Sequence, residues 1–361
     1  MSTIPIDKPN FLKYLHSFRG FAILNIVVIH AVGFAVYEVS KDPKYPVSVA
    51  NELLFHNSTI YFALISGLLY TAILKKKGYA KFFISKLKYV VIPYVFITML
   101  YTVFDIGKSG LFVVRDNFTD YLKILPRNFI YGKAIFVLWY IPVLIFLYLV
   151  TPLLDYIISN KNWGKWLMIF IICIPFLVGR DELMELYKSD FLSFRNMIYF
   201  TGAYAAGMYL ADNLVERILY IQSKKYILWI VVVLTSGIIL IATLNDYDKI
   251  GMFSVLSCFY YIQKLAISFL TLLFFKNLGE KQPKWLMTIA TDAFAIYFLH
   301  ILFFIIFIPD LGYFTFIHTI AQYSSVLAGA VLLLLSVSSS MIVVWILKKI
   351  IGKYSRMIVG S

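Results

Sequence analysis

Charge is scarce in this sequence. Asp, Glu, Lys and Arg together supply 14% of its 361 residues, where soluble domains carry about 25%. With 61% hydrophobic residues and a mean hydropathy of +0.82, the chain is too apolar for a soluble domain. Cysteine is nearly absent. Cys173 and Cys258 both sit inside apolar runs, so they read as small buried hydrophobes and exclude a disulfide framework. No His, Cys and carboxylate cluster has metal spacing, and no glycine-rich phosphate loop or dinucleotide fingerprint occurs. The expectation is therefore no metal, no bound cofactor, and no use of ATP or NAD. The first apolar segment lacks a small-residue cleavage site and is read as a retained helix, not a secretory signal.

What the chain does have is a series of apolar runs of about 20 residues, the length that crosses a bilayer as a helix. They are expected at 20–37, 58–74, 89–104, 135–154, 163–178, 196–212, 226–243, 250–275, 285–308 and 325–347. No strand alternation accompanies them, so the predicted fold is all-α: a polytopic bundle of about ten transmembrane helices in a single domain over 1–361, without a soluble appendage. The net charge of +14 would suggest nucleic acid in a soluble protein. Here its distribution points elsewhere. On this span assignment 21 of the 33 Lys and Arg residues fall on the side of the two termini, which the positive-inside rule places in the cytoplasm. The expected location is the cell membrane, with lipid and not nucleic acid as the surrounding partner. Residues 105–134 form the longest expected outer loop, and part of it is expected to lie along or dip into the membrane.

Within the first span stand Arg19 and His30, with ten residues between them. Eleven helical steps of about 100° bring both to one face, about 16 Å apart along the axis. Ionisable groups inside a span avoid lipid, so a shared stripe argues for a cavity. A neutral imidazole at depth can take a proton as a general base. The alternative is a snorkelling arginine and a hydrogen-bonded packing histidine.

The segment "LHSFRGFAILNIVVIHA" resembles the Arg-x10-His signature of the membrane-bound acyltransferase-3 family. Three further segments follow in the family's order: "YFALISGLLY", similar to its aromatic-x-x-x-Ser-Gly segment; "VLWYIPVLIFLYLVTPLL", similar to its Trp-aromatic-x-Pro span; and "AFAIYFLHILFF", similar to its Tyr-x-x-His span. One departure stands out. Where many members carry Arg-x-x-Arg before the third span, this chain has "KFFISKLKYVVIPYV", with Lys86 and Lys88 in place of arginine. Lysine keeps the charge but loses the planar fork that grips phosphate.

The resemblance implies an acyl-CoA-dependent O-acyltransferase. A short acyl group, acetyl first and succinyl next, would pass from cytoplasmic acyl-CoA to a hydroxyl of an extracytoplasmic or lipid-linked glycan, alone or with polysaccharide biosynthesis proteins. His30 would deprotonate the acceptor, with an acyl-histidine as a second route. Arg19 would hold donor phosphate or orient the surroundings of His30, and Lys86, Lys88 and Lys264 would bind acyl-CoA. Ser66, Trp139, Tyr140 and His300 would line the cavity or meet the acceptor.

Each has a plainer reading. Ser66 precedes a glycine and suits close helix packing, at a depth similar to that of His30. Trp139 and Tyr140 suit an interfacial aromatic belt. Lys264 lies deep in its span and requires a partner or a wet cavity, with Asp292 as the candidate partner by depth. His300 could bond to a neighbouring helix. His16 is expected at the interface, and His56 and His318 in outer loops, solvated. The competing functions are a transporter or flippase for a lipid-linked sugar, which the internal charges would also suit, and a non-catalytic subunit of a polysaccharide assembly complex. Paired broken helices in two similar halves would favour transport, but no convincing similarity between the halves is visible.

Overall fold

The computed structural model describes residues 8–104, 114, 117–180, 193–250, 253–307 and 316–361. In chain order the helices are α1 (Lys8–Tyr37), α2 (Pro46–Phe55), α3 (Thr59–Leu69), α4 (Tyr79–Lys86), α5 (Ile92–Thr102) and α6 (Phe118–Tyr131). They continue as α7 (Tyr140–Ser159), α8 (Gly164–Cys173), α9 (Phe194–Asp212), α10 (Leu214–Ser223), α11 (Lys225–Leu244) and α12 (Val255–Leu278). Last come α13 (Lys284–Thr291), α14 (Ala293–Phe307), α15 (Phe316–Tyr323), α16 (Ser325–Ile351) and α17 (Ser355–Ile358). Strand pairing among the described residues is confined to a two-residue antiparallel ladder, Lys249–Ile250 with Phe253–Ser254, and one bridge between Phe104 and Val114.

The expected count of ten spans is not reached. Seven stretches among the described residues are long and apolar enough to cross a bilayer, and α13 with α14 adds an eighth if the pair, bent by 81°, is one span. The other two expected spans differ for physical reasons. Gly164–Phe176 is shorter than a full crossing. Helix α9 is 19 residues long but carries Arg195, Asn196 and a series of Gly, Ala and Tyr residues. Most of its side chains are buried against other helices, so its sequence is selected for packing and not for contact with lipid. The first part of the expected outer loop, 105–113, lies outside the described residues. Within its remainder, α6 packs on α5, where Tyr94 donates to the carbonyl of Phe129 at 2.5 Å and Asn128 donates to Thr102 at 3.0 Å.

Helix α1 is the hub, packing against α2, α3, α12, α13, α14 and α16. Its approach to α13 depends on Gly20, where a Cβ would stand 2.4 Å from the Leu286 carbonyl oxygen. A second close crossing joins α3 to α9. A Cβ on Gly67 would meet the Tyr204 carbonyl oxygen at 2.0 Å, and one on Gly207 would meet that of Leu64 at the same distance. Small residues let backbones approach where no hydrophobic force separates helix from lipid. Gly67, the glycine of the Ser-Gly pair of α3, therefore serves close helix packing. Buried tyrosines add cross-links to backbone carbonyls of other elements: Tyr101 to Phe298 at 2.8 Å, Tyr199 to Ser257 at 2.9 Å and Tyr261 to Ile172 at 3.0 Å. Phenol bodies fill apolar space while each hydroxyl finds an acceptor.

Two cations hold the two short helices. The guanidinium of Arg19 donates to the carbonyl of Ala290, through Nε at 2.9 Å, and to that of Thr291 at 3.4 Å, so it caps the C-terminal end of α13. Lys264, fully buried in α12, donates to the carbonyl of Leu54 at 2.7 Å, at the C-terminal end of α2. Each places positive charge on carbonyls at the negative end of a helix. The expected pairing of Lys264 with Asp292 is thereby corrected. Lys264 lies only nine residues from Val255, the first residue of α12, and Asp292 sits at the far end of the bundle, where it accepts from Lys348 at 2.7 Å and from Ser361.

Replacement of Gly207 by leucine should destabilise the folded protein by at least about 1–3 kcal/mol, the usual cost of overpacking. Gly237→Leu in α11, where no atom lies within 4 Å of the added Cβ, should be neutral. Thermal unfolding of the two variants in detergent tests the difference.

Candidate active site

Two cavities lie along α1, one towards each of its ends. The larger, about 490 Å³, is lined by Ile26, Ile29, His30, Gly33, Phe34 and Tyr37 of α1. Its far wall comes from α2 and the residues after it, with Glu52, Phe55, His56 and Asn57, and from Phe136, Trp139 and Arg180. The smaller, about 60 Å³, contains Arg19 with Ser66, Lys86, Tyr140, Tyr148 and Tyr297. Arg19 and His30 thus both face the bundle interior, as the eleven-step spacing predicts, but they open into different cavities.

His30 stands among aromatic rings. Its ring stacks on that of His300 with centroids 5.6 Å apart and planes 25° apart, and Phe136 meets it edge-on at 5.2 Å. His300 is fully buried in α14. Its Nδ1 pairs with the Ile296 carbonyl at 2.9 Å, which leaves Nε2 buried without a hydrogen-bond partner. His300 is therefore a neighbour of His30 and not part of the cavity wall.

The remaining expected residues divide between the two ends. Trp139 lines the large cavity and Tyr140 the small one, so consecutive side chains at the start of α7 serve both. The buried hydroxyl of Tyr140 has no hydrogen-bond partner. Ser66 lies with Arg19, not beside His30, which corrects its expected depth. Lys86 borders the small cavity with its ammonium 5.0 Å from the Tyr148 ring centroid and 5.5 Å from that of Phe82. Lys88 is exposed, borders neither cavity and rests over Tyr89. Lys264 also lines neither cavity, because its ammonium is committed to Leu54. Arg356 of α17 also rests over the Tyr89 ring, at 4.1 Å, and lies within electrostatic range of both Arg19 and Lys86. Positive charge thus gathers at the small cavity from three separate parts of the chain.

Four functional candidates escaped the sequence reading. His56, expected to be solvated in a loop, lies in the wall of the His30 cavity, with its Nδ1 2.6 Å from Oε2 of Glu52 and its ring 4.5 Å from that of Tyr260. The outward expectation for His318 is closer, since it is half exposed and paired with Glu38 at 2.9 Å. His16 lies 3.2 Å from the hydroxyl of Thr291. Asn57 and Arg180 are the other two candidates. Arg180 donates to the Asn57 side chain and lies 5.2 Å over Trp139, and Asn57 in turn donates to Tyr199 at 2.9 Å. The signal for Glu52 and His56 was available: Pro46 is a favoured helix-start residue, and the two stand at i, i+4 spacing on the helix it begins. No group of three or more His, Cys, Asp or Glu side chains among the described residues is placed to hold a metal ion.

The arrangement is an imidazole in an aromatic cavity at one end of α1 and a set of cations at the other. Its likeness to known proteins is visible at the level of family. The profile of the acyltransferase-3 family, described as an acyltransferase domain, matches residues 12–347. No curated protein and no solved structure gives a significant match. The match takes in both cavities and all the spans described above, and the chain belongs to the acyltransferase-3 family of multi-pass membrane acyltransferases.

Proposed function

We propose that this protein transfers a short acyl group, with acetyl as the leading candidate, from cytoplasmic acyl-CoA to a hydroxyl of an extracytoplasmic or lipid-linked glycan. The observation that carries the reading is the division of one helix between two cavities: Arg19 and Lys86 at one, His30 at the other. An acyl-CoA is a polyanion joined by a long arm to a thioester, and a sugar is a neutral polyol. The two substrates need opposite surroundings, and α1 offers both.

On this reading the cation-rich end faces the cytoplasm, in keeping with the excess of Lys and Arg on that side. Lys86 and Arg356 meet the donor's phosphates as point charge and fork, respectively. Arg19 contributes field there, although its Nε and part of its fork are occupied by α13 carbonyls. The donor's arm runs along α1 past Tyr140, whose unpaired hydroxyl is available to its amides. His30 takes the proton of the acceptor hydroxyl, the oxygen attacks the thioester carbonyl, the carbon–sulfur bond breaks, and the proton passes from His30 to the departing thiolate. The ester and free CoA are the products. Stacked His300 and edge-on Phe136 keep the imidazole in place during the exchange. Lys88 and Lys264 have no part in donor binding on this geometry, since neither borders a cavity.

In purified protein reconstituted into liposomes with acetyl-CoA, His30→Ala should lower acyl transfer by about 10²-fold or more, the usual worth of a general base, with unfolding temperature unchanged. Free CoA appearing in step with acylated glycan would separate this activity from transport, and its absence with several donors would favour a transporter. Lys86→Ala should raise the KM for acyl-CoA by about tenfold, an effect that shrinks at high salt as exposed charge is screened. Arg19→Lys should lose both stability and activity, because an ammonium cannot reproduce the forked hydrogen bonds to Ala290 and Thr291.

A further inference from the structure

The Glu52–His56 pair lies in the same cavity as His30 and has no task in the transfer step described above. Glu52 lies in the last turn of α2 and His56 caps its C-terminus, and each side chain is only partly exposed, 45% for Glu52 and 30% for His56. The 2.6 Å contact uses Nδ1 of His56 and Oε2 of Glu52. Nε2 and Oε1 are left to face other groups. A carboxylate oxygen beside an imidazole nitrogen, on a rigid backbone, presents two hydrogen-bonding atoms at a separation that suits neighbouring hydroxyls.

The pair is braced on three sides. Tyr260 packs against the imidazole at 4.5 Å. Lys264 fixes the end of α2 through Leu54 at 2.7 Å. Asn51, one residue before Glu52, donates to the carbonyl of Ile29 at 2.8 Å, which ties α2 to the turn of α1 that carries His30. That last bond sets the pair and His30 in a fixed relation. The same cavity is lined by Phe34 and Phe136, apolar surfaces of the kind that cover the C–H face of a sugar ring. The volume, about 490 Å³, lies in the range of ordinary small-ligand sites. Glu52 and Arg180 place opposite charges in the same wall, so this end suits a neutral ligand, in contrast to the cation-rich end.

We propose that Glu52 and His56 form the acceptor subsite, binding a neutral sugar through hydroxyls adjacent to the one presented to His30. The assignment rests on the acyl-transfer reading for its purpose but not for its test, which measures binding alone. Titration calorimetry of the full chain in detergent with a series of neutral methyl hexosides, without acyl-CoA, is the experiment. At least one hexoside should bind the unsubstituted protein, and Glu52→Gln and His56→Gln should each weaken that binding by tenfold or more. Asp246→Asn, on an exposed loop near Lys44, should bind as the unsubstituted protein does, and all three variants should keep its unfolding temperature. Hexoside binding that is unchanged in both variants, or no binding of any neutral hexoside, would overturn the subsite. Failure of the acyl-transfer reading would show separately, as the absence of His30-dependent CoA release from protein that still binds sugar through Glu52 and His56.

Discussion

Positive charge placed on the C-terminal carbonyls of a short helix is the constraint on which this bundle turns, and it is used twice. Arg19 of α1 holds the end of α13, and Lys264 of α12 holds the end of α2. For the fully buried Lys264 no water can replace that bond, so the cation and the helix end each relieve the other's cost. The outcome is spatial: α13 is fixed beside the small cavity and α2 beside the large one, and each cation comes from a long helix that other packing already holds. The signature arginine therefore has a structural task whatever it contributes to substrate.

That double use also explains how one chain can keep two incompatible environments in a single bundle. The glycine crossings, α1 with α13 and α3 with α9, bring backbones into contact and leave little room for relative sliding. Cations gather at one end from α1, α4 and α17, while aromatic rings and a carboxylate–imidazole pair occupy the other. His30 sits in the second environment and is joined to Arg19 in the first along the line of α1. Separation of the cation-rich cavity from the aromatic one is built into the helix packing.

The parts of this legible in the sequence were those governed by local period. The inward face of α1 followed from eleven residues at 100° each, and the acyltransferase-3 assignment from four short segments in order, later matched across residues 12–347. Depth was less legible. Ser66 and Asp292 were placed by counting along single helices, but the partner of a buried group depends on which helices cross beside it, and the count contains no such information. Helix α2 was taken for loop because it is ten residues long and only moderately apolar, so Glu52 went unnoticed and His56 was read as a solvated loop residue although their i, i+4 spacing was in plain view. Helix α9 shows the same limit from the other side: its small and polar residues reflect burial by protein, so its 19 residues are less apolar than those of a lipid-facing span. Arg180 and Asn57 carried no local signal, since they meet only after the chain has folded.

The stacking of His30 on His300 joins α1 to α14, elements at nearly opposite ends of the chain. Helices of a membrane protein emerge from the ribosome in order, so the imidazole of α1 is made early and waits, without its stacked partner, until more than two hundred further residues have been synthesised. The cavity around it is incomplete for the same interval, because Glu52, Trp139 and Arg180 arrive in turn between them. The histidine pair can therefore form only once α14 has been made, and a chain that stops short of α14 carries the signature of the first span without that contact.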